Sequence, residues 1–294
     1  MKIKQSLGYR SFHVVNAFVL ALLAALCLFP FVHIIAVSFS QKAYVSAGMV
    51  AFWPKGFTTA SYDFLLRRTA FWQSFLVSVV RTVLGTLINM LLIVVTAYPL
   101  SKGDAKLRFR TAYAWFFFIT MLVSGGLIPT YILVTNLKLR DSLWSLIMPG
   151  ALPVYNLILM MNFFRQVPGE LEDASCIDGA GHMRTLFQIY IPVSLPAIAT
   201  ISLFCMVGHW NAWFDGMLYI NSPSKLPLQT YLRNAIMNLD MTEVNSFDWA
   251  QLKLMSDRAL KCAQVVIACI PILCVYPFLQ KYFVTGITLG SVKG

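Results

Sequence analysis

Charge is scarce in this sequence. Of 294 residues only 12% are charged, whereas 58% are hydrophobic and the mean hydropathy is +0.69. A soluble domain carries about 25% charged residues because its surface faces water. The shortage excludes a soluble domain and leaves most of the outer surface to lipid. Acids are scarcer still, with 12 Asp and Glu against 23 Lys and Arg, for a net charge of +11. The basic residues stand between apolar runs, as on membrane flanks near anionic headgroups. No RNA-binding motif or zinc-finger spacing accompanies them, so nucleic acid is not an expected partner. Paired cysteines are lacking too. Cys27, Cys176, Cys205, Cys262, Cys269 and Cys274 include no CxxC, and five of them lie in or at the ends of apolar runs, where a free thiol behaves as a small hydrophobe. Neither a metal site nor a disulfide framework is expected. No G-x-x-x-x-G-K-S/T loop is present to cradle ATP. HExxH and GxSxG are missing, and His13, His33, His182 and His209 are scattered. The expectation is a chain with no cofactor and no catalytic chemistry of its own.

What the sequence does hold is long apolar runs. A helix needs about 20 apolar residues to cross the hydrocarbon core. Six stretches qualify, at about 12–38, 72–98, 112–134, 143–163, 196–220 and 260–280. Lipid offers no partner to backbone N–H and C=O groups, and the runs lack the alternation of barrel strands, so helices are predicted. Pro129, Pro149, Pro153, Pro271 and Pro277 lie inside or at the ends of these runs and predict kinks. Lys2, Lys4 and Arg10 precede the first run, which exceeds the roughly 7–15 residues of a signal-peptide core. Leu26 is too bulky to precede Cys27 in a lipoprotein cleavage box, so the run reads as a retained span. The fold class is all-α, a polytopic membrane protein with six transmembrane helices. Its parts are an N-terminal segment 1–11, a membrane domain 12–280 that includes a loop 164–195, and a tail 281–294. Basic residues divide evenly between the two sides, eleven each, with Arg81 left inside the second run. The short Ser101–Arg110 segment, four basic residues in ten, tips the termini toward the cytoplasm, because short loops count most.

One connector is longer than a connector needs to be. From Val167 to Ala180 the chain reads VPGELEDASCIDGA, followed by Phe187, Ile189, Pro192, Leu195 and Pro196. Pro168 and Gly169 open a short helix whose first turns carry Glu170, Glu172 and Asp173, where acids suit the helix dipole. Gly179 permits a sharp turn into a second short helix, and Pro192 and Pro196 reset the chain into the fifth run. Such a helix–Gly–helix insert has the form of a docking knob for a soluble partner.

This pattern resembles the EAA loop of ABC importer permeases, whose usual form is E-A-A, then D-G, then I and P. Here Asp173-Ala174-Ser175 takes the lead positions, Asp178-Gly179-Ala180 the next, and Ile189 and Pro192 the last. Asp for Glu and Ser for Ala are the departures. The resemblance covers nearly the whole chain. It includes FWPKGFTTASY (52–62), Ala97-Tyr98-Pro99-Leu100-Ser101, Gly126-Leu-Ile-Pro129-Thr, Trp210-Asn211, Pro227-Leu228-Gln229 and the terminal Val292-Lys293-Gly294. Within the family the chain is similar to the second permease of importers for oligosaccharides, including acidic ones such as alginate fragments. The resemblance implies a loop that faces the cytoplasm and sits in a cleft of an ATPase subunit, with both termini on that side of the inner membrane. It further implies a second permease, two ATPase subunits that bind ATP and Mg, and an external solute-binding protein.

Intramembrane polar residues are candidates for the sugar path, because charge at mid-bilayer faces a protein interior or water. Arg81 is either a counter-ion for an anionic sugar or a side chain that snorkels or pairs within the bundle. Asp215 is path-lining or interfacial. The stretch Gly208 to Asp215 supplies Trp210, Asn211 and Trp213, since sugars take aromatic faces against C–H surfaces and amides against hydroxyls. The plainer reading is an aromatic belt with small-residue helix packing at Gly208 and Ala212. Tyr155 and Asn156 complete the set. The main alternative function is a secondary ion-coupled transporter, a class marked by paired repeats and broken helices. Neither is evident in the sequence, and the 164–195 insert would then lack a purpose. An intramembrane enzyme is the third class, and no catalytic motif supports it.

Overall fold

The computed structural model describes residues 7–103, 106–237 and 256–290. The expectations placed on Lys2, Lys4, the middle of the 221–259 segment and the terminal Val292-Lys293-Gly294 lie outside the described residues. The described chain is helical, with one isolated bridge between Ser40 and Phe57. It divides into two compact units, residues 1–68 with 238–270, and residues 69–237 with 271–294.

In the first unit α1 (Leu7–Ser38) is apolar on every side. Within its candidate span Ser11–Ser38 the most apolar stretch is wholly unburied, as a helix solvated by lipid would be. Its last turn is the exception. Ala36 and Val37 pack with Val45 of α2 (Lys42–Ser46), with Val50 and with Ala259. The hydroxyls of Ser38 and Tyr62 lie 2.7 Å apart, and Phe39 stacks on both Phe57 and Tyr62. Tyr62 belongs to α3 (Ala60–Leu66).

The second unit is organised around α4 (Thr69–Ser101), which packs on the helices Val154–Arg165 and Leu195–Asn211. Its buried residues, Phe71, Ser74, Ser78, Arg81, Gly85, Asn89, Ile93, Ala97 and Leu100, recur every three or four positions and so share one face. The outward residues include Trp72, Leu76, Val80, Val83, Leu87 and Leu91. Polarity is thus inverted along the first half of α4. Lipid solvates the large apolar side chains, and small or polar residues let the helices approach.

Then follow α5 (Arg110–Leu122), α6 (Leu127–Asn136), α7 (Trp144–Ile147) with a 3-10 turn Met148–Gly150, α8 (Val154–Arg165), α9 (Gly169–Ile177) and α10 (His182–Thr185). One π-helical turn (Leu186–Tyr190) leads to α11 (Ile191–Val193), α12 (Leu195–Asn211), α13 (Phe214–Tyr219), a 3-10 turn Pro223–Lys225, α14 (Leu228–Met237) and α15 (Asp257–Gly290). The core joins Ile93, Ala97 and Tyr98 of α4 to Leu157, Met160 and Phe164 of α8, Ile201 and Cys205 of α12, and Tyr190.

Among the described residues three helices are long and apolar enough to cross a membrane, Ser11–Ser38, Thr69–Ser101 and Asp257–Val275. The count is six if each of three bent pairs is one span. The predicted runs 112–134, 143–163 and 196–220 are therefore not single helices. The first is broken between Leu122 and Leu127 with a bend of 109°. Gly125 and Gly126 occupy that break, while Pro129 sits in the first turn of α6. The second bends by 51° at 151–153, beside Pro149 and Pro153. The third ends at Asn211 and restarts at Phe214, and its start is bent by 83° from the preceding helix at Ser194. Pro192 and Pro196 flank that bend, each removing a backbone donor. Pro271 and Pro277 fall instead within the uninterrupted α15.

Candidate functional site

The 164–195 insert folds as two short helical pieces with Gly179 between them. Gly179 has φ +72°, and a Cβ there would have nothing within 4 Å. Its role is conformational, since a side chain in that region is strained by about 1–2 kcal/mol. The bulk of a larger residue would not crowd the insert. The insert is fastened from within. Ser175 donates to the Glu172 carbonyl at 3.0 Å, and its hydroxyl lies 2.8 Å from that of Thr185 on α10. Glu172 points inward and Asp173 outward, with side chains 8% and 73% exposed. Ala174, Asp178 and Gly179 are exposed and Ala180 is half-buried. Ile189 packs against the core, and Pro192 lies in α11. Large apolar side chains also stand free on the insert, with Ile177 at 87% exposure, Met183 at 65% and Phe187 at 58%.

Glu172 meets two residues that sequence reasoning did not single out. Lys102, the residue after α4, lies 3.0 Å from Glu172 Oε1 and donates to the Tyr190 hydroxyl at 2.7 Å. Tyr190 in turn donates to Glu172 Oε2 at 3.1 Å, closing a triangle of three buried groups. Burial alone would raise the Glu172 pKa. The hydrogen bond and charge of Lys102, the Tyr190 hydroxyl and Lys106 overcome this and hold it below the ordinary carboxylate value. Burial lowers the Lys102 pKa, against the opposing pull of Glu172. Lys106 adds weaker pairs to Glu172 at 3.4 Å and Asp173 at 3.8 Å.

Further along α4 lies a cleft of about 360 Å³, lined by Arg81 and Asn89 of α4, Asn156 of α8, Gly208 and His209 of α12, and Asp215, among others. Arg81 forms an ion pair with Asp215. It also donates to the carbonyls of Ala212 at 3.2 Å and Leu146 at 3.3 Å. Its Nε is buried with no partner among the described residues. His209 Nε2 lies 2.7 Å from Asn89 Oδ1, and Asn89 donates to the Gly150 carbonyl at 2.9 Å. Gly85 makes this possible, for a Cβ there would lie 2.5 Å from the His209 ring. Asn156 donates to Cys205 Sγ at 3.3 Å.

Of the residues read as a sugar path, the structure brings Arg81, Asp215 and Asn156 together in this cleft and disperses the others. Trp210 is buried with its ring against Phe75, and Trp213 lies under the Arg233 guanidinium at 3.5 Å. Asn211 is exposed at the end of α12, and Tyr155 is 58% exposed. Sequence reasoning missed Asn89, Gly85 and His209. The three-and-four spacing of Ser74, Ser78, Arg81, Gly85 and Asn89 was the available signal. At the same end of α4 a second polar knot closes the 137–143 loop onto 220–225. Asp141 accepts the Ser222 hydroxyl at 2.6 Å and N–H at 2.9 Å, the Lys225 ammonium at 3.0 Å and the Asn221 N–H at 3.0 Å. These donors, Ser222 foremost, hold its carboxyl well below the usual carboxylate range.

Residues 14–289 match the family described as binding-protein-dependent transport system inner membrane component. Protein LplC of Bacillus subtilis is 41% identical over 285 residues, 97% of this chain and 96% of that one. The polygalacturonan/rhamnogalacturonan transport system permease protein YtcP of the same organism is 41% identical over 280 residues, 94% of this chain and 96% of its own. Among solved structures, a chain of a bacterial ABC transporter involved in the import of the acidic polysaccharide alginate superposes with a TM-score of 0.84. It is 33% identical, and the match covers 96% of this chain and all of that one.

Proposed function

The chain belongs to the binding-protein-dependent transport system inner membrane components and is a permease subunit of an ATP-driven sugar importer, and from that premise we propose that its cargo is an acidic oligosaccharide. The observation that carries this reading is Arg81, a buried guanidinium lining the intramembrane cleft whose counter-ion is a side-chain carboxylate. A sugar carboxylate has the same chemistry and can take the place of Asp215, while Asn89, Asn156 and His209 offer hydrogen bonds to hydroxyls. The relatives support the choice, since one is described for polygalacturonan and rhamnogalacturonan and another for alginate. The chain itself carries no catalytic chemistry. ATP and Mg belong to two separate ATPase subunits, a second permease completes the path, and an extracytoplasmic binding protein delivers the sugar. A secondary ion-coupled mechanism would leave the 164–195 insert idle.

The insert is the ATPase dock, through Asp173, Ala174 and the exposed Ile177, Met183 and Phe187. It faces the cytoplasm together with both termini, as the basic 101–110 segment beside it favours. In intact cells carrying a variant whose other cysteines are replaced, Cys176 on α9 should resist an impermeant thiol reagent, whereas Ser224→Cys should react. The opposite pattern overturns the orientation.

The decisive functional test is reconstitution in liposomes with the cognate permease, ATPase and binding protein. Oligogalacturonate should stimulate ATP hydrolysis and be taken up, and a neutral glucan of equal length should do neither. Equal response to both sugars would remove the acidic specificity while leaving the permease role intact.

A further inference from the structure

We infer that Lys102, Glu172 and Tyr190 form a coupling latch that ties the docking insert to α4, so that ATPase movement reaches the cleft through α4 as well as through the helices flanking the insert. The inference rests on the docking role given to the insert above. By chain connectivity alone, motion of α9 passes to α8 on one side and, through the π turn and α11, to α12 on the other. Among the described residues α4 meets the insert through side chains, and the triangle supplies a buried ion pair between the insert and the residue that follows α4.

Its construction is that of a rigid link rather than a surface ion pair. Lys102 and Glu172 side chains are each 8% exposed. The Lys102 ammonium lies 4.1 Å from the Tyr98 ring centre and 3.9 Å from that of Tyr190. Tyr190 is itself wedged edge-on against Tyr98 and Phe164, at 5.0 and 5.5 Å. Separating Lys102 from Glu172 would strand two charges away from water, a far larger penalty than that of parting an exposed pair. The three groups therefore move as one body. The π turn Leu186–Tyr190 supports this, since such turns rotate the residues that follow them and occur often at functional positions.

The same helix carries the cleft. Arg81, Gly85 and Asn89 sit on α4, and Lys102 follows its last turn. At 1.5 Å per residue the rod from Arg81 to Lys102 spans roughly 30 Å. A displacement of the insert that drags Lys102 also shifts Arg81 against Asp215, which belongs to α13 beyond the break in the fifth run. Opening and closing of the Arg81–Asp215 pair is then linked to the state of the ATPase.

The test compares Lys102→Met, Tyr190→Phe and Lys102→Arg in the reconstituted complex, reading ATPase co-purification, ATP hydrolysis and sugar taken up per ATP. The latch faces inward, so all three should still capture the ATPase. Sugar moved per ATP should fall about tenfold in Lys102→Met, within the range of allosteric coupling. It should fall several-fold in Tyr190→Phe and return toward normal in Lys102→Arg. A merely structural anchor would lower the amount of complex and leave the ratio alone. If Lys102→Met fails to accumulate, Tyr190→Phe decides, because it removes only a hydroxyl. An unchanged ratio in Tyr190→Phe then overturns the latch. An unaltered ratio in both variants, with wild-type coupling intact, also overturns it while leaving the docking reading standing. Failure of the wild-type chain to capture the ATPase overturns both.

Discussion

Arg81→Gln is expected to abolish uptake of acidic oligosaccharides and to destabilise the second unit by about 3 kcal/mol. The side chain is 3% exposed and ties α4 to two other segments, the 212–215 stretch through Asp215 and the Ala212 carbonyl, and α7 through the Leu146 carbonyl. Its loss leaves the Asp215 carboxylate without its partner, and breaking one side of a buried pair costs about 3–5 kcal/mol. Asp215 is 26% exposed, so the lower end applies. Adding Asp215→Asn separates structure from transport. The double variant has no stranded charge and should regain most of its thermal stability, because replacing both members of a buried pair is often neutral. It should still fail to move oligogalacturonate, having lost the guanidinium. Thermal unfolding of the purified complex and vesicle uptake are the two measurements. Wild-type uptake by the stable double variant would remove Arg81 from the sugar path.

Ala174→Trp should leave the chain in the membrane at its normal level and weaken ATPase capture roughly 100-fold, the scale of an interface hot spot. Ala174 is exposed on α9, so the larger side chain meets no crowding within this chain. Around it lie Asp173 and Ile177, with Met183 and Phe187 on the second half of the insert. An exposed apolar group of this kind marks an interaction surface, and a well-packed interface tolerates added volume poorly. Quantitative pull-down of the ATPase from detergent extracts measures the effect. Capture equal to wild type would place the dock elsewhere. Gly179 acts differently, because its surroundings are open and only its positive φ resists a side chain.

How much of this was legible beforehand depends on the range of the information. The helix–Gly–helix form of the insert was readable because its determinants are neighbours in sequence. Pro168 and Gly169 start a helix, acids occupy its first turns, Gly179 turns the chain, and Pro192 and Pro196 redirect it. The apolar runs were equally plain, since a lipid-facing helix declares itself by composition alone. Their breaks were harder. Proline marked the bends at 151–153 and 194, yet the largest, 109°, falls at Gly125-Gly126, and α15 passes through two prolines without interruption. A glycine permits a break without requiring one, and neighbouring helices decide.

Membrane residence, helical class and the helix–Gly–helix form of the 164–195 insert were therefore determined by the sequence itself, because each follows from solvent preference and backbone chemistry within a few turns of chain. Only the tertiary structure decided that Arg81 pairs with Asp215, that Lys102 pairs with Glu172 and Tyr190, and that Asn89 meets His209. Each contact joins residues far apart in the chain, and no local period encodes which partner arrives. Along the first half of α4 the packed face is also the small and polar one, so the apolar stripe that would reveal the interior of a soluble helix points outward there instead.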